Sequence, residues 1–538
     1  MENCVATGGI TLAQKQKLEL TWIGKDERPK LEPRILLEDP ELSYHAKERV
    51  TENDIFDNRL IFGDNLLALK ALEQEFTGKI KCIIIDPPYN TGNAFEKYDD
   101  GIEHSLWLTL MRARLEILHK LLSNDGVIFI NIDENEHAYL KVLMDSIFGR
   151  ENFIGDLIWK KRKGGGNDSR FIALDHEYIL VYAKNKLSHT NKWRISYDEK
   201  YLDRYKERDE NGRFYWDTLS RPGLQNPIIF TYRCEDGTEL KIYSQKSEET
   251  FYQELEKGNI RVVKTRNGWT VHHKVYMPTE GKVLRSILDD HGTNNDAKKE
   301  MENLFGSKKA FDYPKPEKLI MTLIDLVTEK GDWVLDSFAG SGTTGAVAHK
   351  MGRRWIMIEL GEHCHTHIIP RMKKVIDGTD QGGISKAVNW KGGGGFRYYK
   401  LAPSLLKKDK FGNWIINPEY NAEMLAEAMC KHEGFTYNPD PEVFWKQGQS
   451  TENDFIFTTT QLVTQQMVES IVEQMKENET LLICCKAYNV NVEDFPQVTI
   501  KKIPQAILNK CEFGRDDYSL NVNNLPMKEK EPEQLELF

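Results

Sequence analysis

Cys82-Ile83-Ile84-Ile85-Asp86-Pro87-Pro88-Tyr89-Asn90-Thr91-Gly92 reads as a buried strand that ends in a stiff turn. The β-branched run is too short for an ordinary helix and has no polar alternation, the pattern of a strand covered on both faces of a parallel sheet. Two consecutive prolines then remove two backbone donors and forbid helix. An acid, proline carbonyls and an aromatic ring are thereby gathered at the carboxyl end of a strand, where open α/β sheets bind ligands. A solvated Asp beside a strand-ending turn would account for a lone Asp-Pro. The whole tetrapeptide after a hydrophobic strand favours a ligand site.

Outward from this stretch the chain alternates strand and helix. Upstream, Arg59 to Phe62 is a short strand, and Gly63-Asp64 turns into a helix through Leu66, Leu67, Leu69 and Leu72. Asp64 suits both a helix N-cap and a ligand contact. Downstream, Asn93 to Ile102 is a polar loop suited to closing over a ligand. Trp107, Leu110, Met111, Leu115, Leu118 and Leu121 then recur at helical spacing. Gly126 to Asp133 is a second buried strand, followed by a helix from about Asn135 to Ile147 and strands at Ile154–Trp159 and Tyr178–Tyr182. This order implies a parallel sheet covered on both faces, a Rossmann-like α/β fold. Between the last two strands, Lys160-Lys161-Arg162-Lys163-Gly164-Gly165-Gly166-Asn167 is a positive, glycine-rich loop suited to phosphates.

From about Leu187 to Val283 the alternation stops. Short β-rich segments, many aromatics and turns at Asp236-Gly237 and Asn267-Gly268 mark an inserted domain, in which Arg204, Arg208, Arg213, Arg221 and Lys246 are candidate contacts for a polyanion. The chain then returns through Phe311 to Pro316 into a helix with Leu319, Ile320, Leu323, Ile324 and Val327 on one stripe. Trp333-Val334-Leu335-Asp336-Ser337-Phe338-Ala339-Gly340-Ser341-Gly342-Thr343-Thr344-Gly345 is a strand, a glycine-rich turn and a helix start. Gly340 and Gly342 allow close approach of a ligand to backbone, and the missing Lys excludes a phosphate P-loop. The next strand, Arg354 to Glu359, ends in an acid placed for ribose hydroxyls, by the logic of dinucleotide folds.

Beyond the four glycines Gly392 to Gly395, read as a hinge, lies a different unit. It has a helix around Ala422 to Cys430, a helix from Thr460 to Met475, a strand at Leu481 to Cys485, and a Lys/Glu-rich end from Met527 read as disordered. The net charge of −10 falls almost wholly on this last quarter, leaving the rest near neutral and able to carry a basic face. The expected domains are an arm at 1–54, sheet halves at 55–186 and 284–400, the insert at 187–283, and an acidic α+β unit at 401–538 serving assembly or partner contacts. Scattered cysteines and no complete His/Cys ligand set imply no metal and a reducing, cytoplasmic setting. No apolar run is long enough for a membrane span.

Asp86 through Tyr89 resembles the catalytic motif of the S-adenosylmethionine-dependent amino-methyltransferases of DNA, and the Asp336–Gly342 stretch resembles their methyl-donor motif. The order of the two, with an insert between, resembles the β group, whose sheet is circularly permuted. Phe62 to Asn65, Ile128 to Glu136, His176-Glu177-Tyr178 and the Gly392 run are similar to the modification subunits of type III restriction-modification systems.

The resemblance implies methyl transfer to adenine N6 in a flipped base. Asp86 and the Pro87 carbonyl would polarise the amino group, Pro88 would stiffen the turn, and Tyr89 would stack on the base. Asp before Pro-Pro-Tyr favours adenine by family tendency, and cytosine N4 is the alternative. A DNA-reading scaffold that recruits a nuclease or helicase is the alternative of another class. Donor contacts implied are Asp64, Asp336, Phe338, Gly340, Gly342, Thr343, Glu359, Lys315 and Pro316. DNA contacts are Lys161, Arg162, Lys163, Arg213 and Arg221. The partners implied are double-stranded DNA, a second copy in a homodimer, and a nuclease-helicase subunit.

Overall fold

An 11-stranded sheet forms the centre of the protein. Its structure is a computed structural model that describes residues 19–89, 100–164, 170–189, 193–195, 199–221, 223–277, 281–307 and 309–519. The expected closing loop (all but its last three residues), Gly165 to Asn167 and the end from Met527 lie outside the described residues.

In chain order the first elements are β1 (Leu36–Glu38), β2 (Tyr44–His45), β3 (Asn58–Phe62), α1 (Asn65–Phe76), β4 (Ile80–Ile85), α2 (Asp100–Leu121), β5 (Leu122–Ile132), α3 (His137–Phe148), β6 (Phe153–Lys160) and β7 (His176–Ala183). Across the sheet the order is β1, Gly395–Leu401, β3, Arg354–Glu359, Trp333–Asp336, β4, β5, β7, β6 and Ile287–Leu288, with β2 pairing beside Gly395. Gly395–Leu401 through β5 run parallel. β7 is antiparallel to both β5 and β6. The sheet is mostly parallel, as expected, and β7 reverses because its connection from β6 is a hairpin rather than a crossover helix.

Side-chain alternation along the strands sets the layers. Ile83, Ile85, Ile128 and Ile130 join a buried cluster with Leu67, Leu72, Trp107, Met111, Leu115, Leu140 and Met144 of α1, α2 and α3. The intervening Ile84 and Phe129 face the other way, where helix Glu317–Val327 packs against β4 and β5. α1 starts where it does because Asp64 caps it, accepting from the Leu66 and Leu67 N–H groups.

The contact pattern divides the chain into residues 192–284 and all the rest. The smaller unit holds a four-stranded antiparallel sheet, in the order Ile260–Thr265, Gly268–Tyr276, Gly212–Thr218 and Glu207–Asp209, and a hairpin of Ile228–Arg233 with Glu239–Ser244. Phe230, Ile242, Phe251, Ile260 and Val271 make its own small core.

Three expectations are corrected. Residues 19–54 are more than an arm: β1 and β2 pair with Gly395–Leu401, and Ile35 is fully buried with Ala402, Leu405 and Leu406. The four glycines are packed, not a hinge. A Cβ at Gly394 would stand 2.6 Å from the Ile55 carbonyl oxygen, and one at Gly395 would stand 2.7 Å from His45 Cβ. Finally, Thr460 to Thr464 extends the strand Asp454–Thr464, and only Gln465–Val472 is helical. The β-branched Thr-Thr-Thr run prefers the strand, and Thr464 caps the helix that follows.

Candidate active site

β4 leads through α2 to β5 on one side, while its parallel neighbour Trp333–Asp336 leads through helix Thr343–Lys350 to Arg354–Glu359 on the other. Adjacent strands whose connections diverge leave a crevice at their carboxyl ends. There a cavity of about 900 Å³ is lined by both motifs, which lie 250 residues apart in the chain. The turn after β4 is held from two sides. Trp107 Nε1 donates to the Pro88 carbonyl at 2.8 Å, and Asn131 Nδ2 to the Ile85 carbonyl at 3.3 Å.

Asp86 sits in a tight charged network. The Tyr89 hydroxyl is 2.6 Å from Asp86 Oδ1 and 3.0 Å from Glu177 Oε2. Lys315 Nζ donates to Asp86 Oδ2 at 2.5 Å, reaches the Tyr89 oxygen at 3.0 Å and lies 3.5 Å from Glu177. Lys161 closes the group at 3.3 Å from Glu177 Oε1. Burial alone would raise the Glu177 carboxyl, but Lys315 and Lys161 outweigh it and hold it below the usual range. Burial would likewise lower the Lys315 ammonium, but Asp86 and Glu177 hold it above. Glu177 and Lys315 therefore hold each other in their charged forms, and the hydrogen bonds from Lys315 and Tyr89 fix the Asp86 carboxylate in one orientation.

Lys315, expected at the donor, pairs with Asp86 in the cavity, and Lys161, expected on DNA, is a partner of Glu177 with a side chain only 15% exposed. Arg162 and Lys163 remain exposed. Glu177 was named in a sequence pattern only, and nothing local marks it as part of the site; its place depends on β7 lying beside β5.

On the facing wall, Asp336 is 4% exposed, and among the described residues no cation pairs with it. Burial pushes its carboxyl up to about 7, against hydrogen bonds from Thr344 and the Phe338 N–H. Ser337 Oγ is buried with no hydrogen-bond partner. The glycine turn bends at Gly340 with φ +54°, where a Cβ would meet nothing closer than 3.6 Å, so the cavity is open at that point. Glu359 Oε2 accepts from the Gly340 N–H at 2.8 Å, and Oε1 accepts from Gly361 N–H at 2.9 Å and lies 3.0 Å from His363 Nε2. Phe338 and Thr343 also line the cavity, whereas Gly342 and Pro316 do not: they start the helices Thr343–Lys350 and Glu317–Val327.

A buried ion network braces the turn from below. Arg371 donates to the Ser341 carbonyl, to Thr343 Oγ1 and to Glu317, which also takes Lys350 at 2.8 Å; Lys350 in turn reaches Asp380 at 2.7 Å. Truncating one member of such a buried set leaves a charge unpaired. Arg371→Ala should therefore lower stability by about 3–5 kcal/mol, read as a fall in the urea midpoint.

Asp64 lies on the cavity wall with its carboxylate already saturated. Oδ1 takes the two capping N–H groups, and Oδ2 takes the Tyr518 N–H at 3.0 Å and Arg114 at 3.5 Å. A carboxylate has about four acceptor positions, so these contacts give Asp64 a structural role at the cavity wall. Arg114 also donates to the Tyr518 carbonyl and to Asn65, whose amide reaches the Ser337 carbonyl. In the separate insert, Arg213 is exposed, and Arg221 is exposed but tied to Asp217 at 2.7 Å.

With this geometry in place, comparison with known proteins is informative. The DNA methylase family model (N6_N4_Mtase) matches residues 80–370, from β4 through the donor-side strands. The HindVI Mod subunit of a probable type III restriction-modification enzyme, from Haemophilus influenzae, is 35% identical over 64% of this chain and 54% of its own length. The EcoP15I Mod subunit from Escherichia coli is 27% identical over 78% of both chains. The type II methyltransferase M.KpnI from Klebsiella pneumoniae is 31% identical over 58% of this chain and 81% of its own. The chain spans little more than half the length of the HindVI relative and about three fifths of two further Mod subunits. A match over more than half the chain, carrying Asp86 and Gly340 at the ends of adjacent strands, makes this protein a member of the N6/N4 DNA methylase family.

Proposed function

We propose that this protein methylates adenine N6 at a defined site in duplex DNA, with S-adenosylmethionine as donor, as the modification subunit of a type III system. The observation that carries the reading is the facing of Asp86 and Asp336 across one cavity at the sheet's switch point. Similarity to several Mod subunits supports the type III assignment. A homodimer, a nuclease-helicase partner and a cytoplasmic setting complete the proposal. Among the described residues no helix is long and apolar enough to cross a membrane.

The donor's requirements fit the residues present. A buried carboxyl without a cation, an unpartnered Ser337 hydroxyl and an open glycine turn suit an ammonium and a backbone-hugging ligand. When bound, S-adenosylmethionine supplies an electrophilic methyl group. Asp336 would hold its ammonium, and Glu359 with His363 its ribose side.

The target's amino nitrogen is a poor nucleophile because its lone pair is delocalised into the ring. Asp86 and the Pro87 carbonyl would accept hydrogen bonds from its two N–H groups, localising the lone pair and aiming it across the cavity. The Lys315–Glu177–Tyr89 network orients Asp86 for that bond. The base must leave the duplex to enter the cavity, and residues 192–284 would read the surrounding sequence.

The buried Asp336 carboxyl predicts a pH profile for donor binding. With Asp336 titrating near 7, a proton must leave before the ammonium binds at lower pH. Donor affinity should therefore fall by up to about tenfold per unit below pH 7, and fall again above about 8 as an α-amino group deprotonates. Calorimetry from pH 5.5 to 9 should show this bell, and Asp336→Asn should remove its acid limb. The functional reading itself is tested by modification-sensitive sequencing of mixed DNA after incubation with the donor. Methylated adenines within one short sequence are expected; unmodified DNA would reject the reading.

A further inference from the structure

Phe171 and Ile172 are 86% and 79% exposed. Two adjacent large apolar side chains in water are costly unless a partner covers them. They lie on the connection between β6 and β7, whose base is closed where the Lys161 and Arg162 N–H groups both donate to the Asp175 carbonyl. Lys161 and Arg162 also line the cavity that holds Asp86, so this loop springs from the mouth of the active site. Cations flank the apolar pair: Lys160, Arg162, Lys163 and Arg170 are all exposed, and the Arg170 guanidinium lies 5.3 Å from the Phe171 ring centroid.

We propose that Phe171, backed by Ile172, is the wedge that enters the DNA stack where the target base swings out. The inference rests on the functional reading above. An apolar side chain inserted between bases compensates for lost stacking, and flanking cations hold the phosphates on either side. The reach is adequate. Phe171 is four residues from Asp175, so its Cα can stand up to about 14 Å from the loop base. That span suits a gap lying one swung-out nucleotide away from the cavity. Neither side chain is needed by the fold, which accounts for their exposure in the free protein.

The test uses the full chain, tritiated methyl donor and two duplexes carrying the site mapped by sequencing. One is fully paired; the other has an abasic position opposite the target adenine, which removes most of the cost of unpairing. Single-turnover methyl transfer by Phe171→Ala and by the Phe171→Ala/Ile172→Ala double variant should fall about tenfold or more on the paired duplex. On the abasic duplex both should recover to within about threefold of the parent protein. Phe171→Trp should stay near the parent on both, and molar mass by light scattering should not change. Parent-like rates on the paired duplex, or an equal deficit on both duplexes, would overturn the proposal. A changed mass with an equal deficit would assign the pair to a contact between copies of the chain and would likewise overturn it. A parent protein that methylates neither duplex would reject the functional reading, and this inference with it.

Discussion

Asp86→Ala should abolish methyl transfer while leaving donor and DNA affinity close to the parent values. The carboxylate touches neither the glycine turn nor any basic surface; its partners are Tyr89 and Lys315. Its task is to accept a hydrogen bond from an amino group whose charge rises only as the new bond forms, an interaction strongest in the transition state. Removing one such group costs a hundredfold to a thousandfold in known cases, and here the loss also leaves Lys315 facing the target with one fewer acid. A fall of at least about a thousandfold, roughly 4 kcal/mol, is expected. Tritium incorporation reads the rate, and calorimetry with the donor reads the binding. Asp86→Asn should fare little better, because its amide offers a single acceptor and turns a donor toward Lys315 or the base. The charged network supplies an internal control. Glu177→Gln removes a partner of Tyr89 and Lys315 without touching Asp86, so its effect should be smaller.

Ending the chain at Gly394 should destroy the fold rather than release a working methyltransferase. The acidic segment looked separable in sequence, since its composition changes and a run of glycines precedes it. In the structure the cut removes Gly395–Leu401, an interior strand hydrogen-bonded to β1 on one side and β3 on the other. It also strips the cover from Ile35, which packs with Ala402, Leu405 and Leu406. The buried acid Glu32 would lose Ser404 and the Leu405 N–H. Two newly bared sheet edges and an uncovered core exceed the 5–15 kcal/mol that holds a typical domain together. Insoluble protein, or soluble protein without a cooperative thermal transition, is expected. A folded, donor-binding product would show that the C-terminal unit is independent after all.

How far the site could be read from sequence followed the range of its interactions. The ends of β4 and of Trp333–Asp336 carry their own signal: a β-branched run, then prolines or glycines that stop it. Helix α1 announced its start at Asp64 by a local rule. The same residue's saturation by Arg114 and Tyr518 could not be read, because these partners lie 50 and 454 residues along the chain. Lys315 reaches Asp86, and Glu177 reaches Lys315 and Tyr89, only once β7 and the helix Glu317–Val327 have been placed around β4. The antiparallel turn of β7 was hidden because a buried strand looks the same in either direction. The glycine run misled for a related reason: glycine marks both loose chain and the closest packing, and only the neighbours distinguish them.

Nucleoside mass spectrometry of DNA incubated with the protein and S-adenosylmethionine tests the central claim most directly. Digestion to nucleosides should reveal N6-methyladenine with the parent protein and none with Asp86→Ala. N4-methylcytosine in its place, or N6-methyladenine undiminished in the Asp86→Ala sample, would contradict the account.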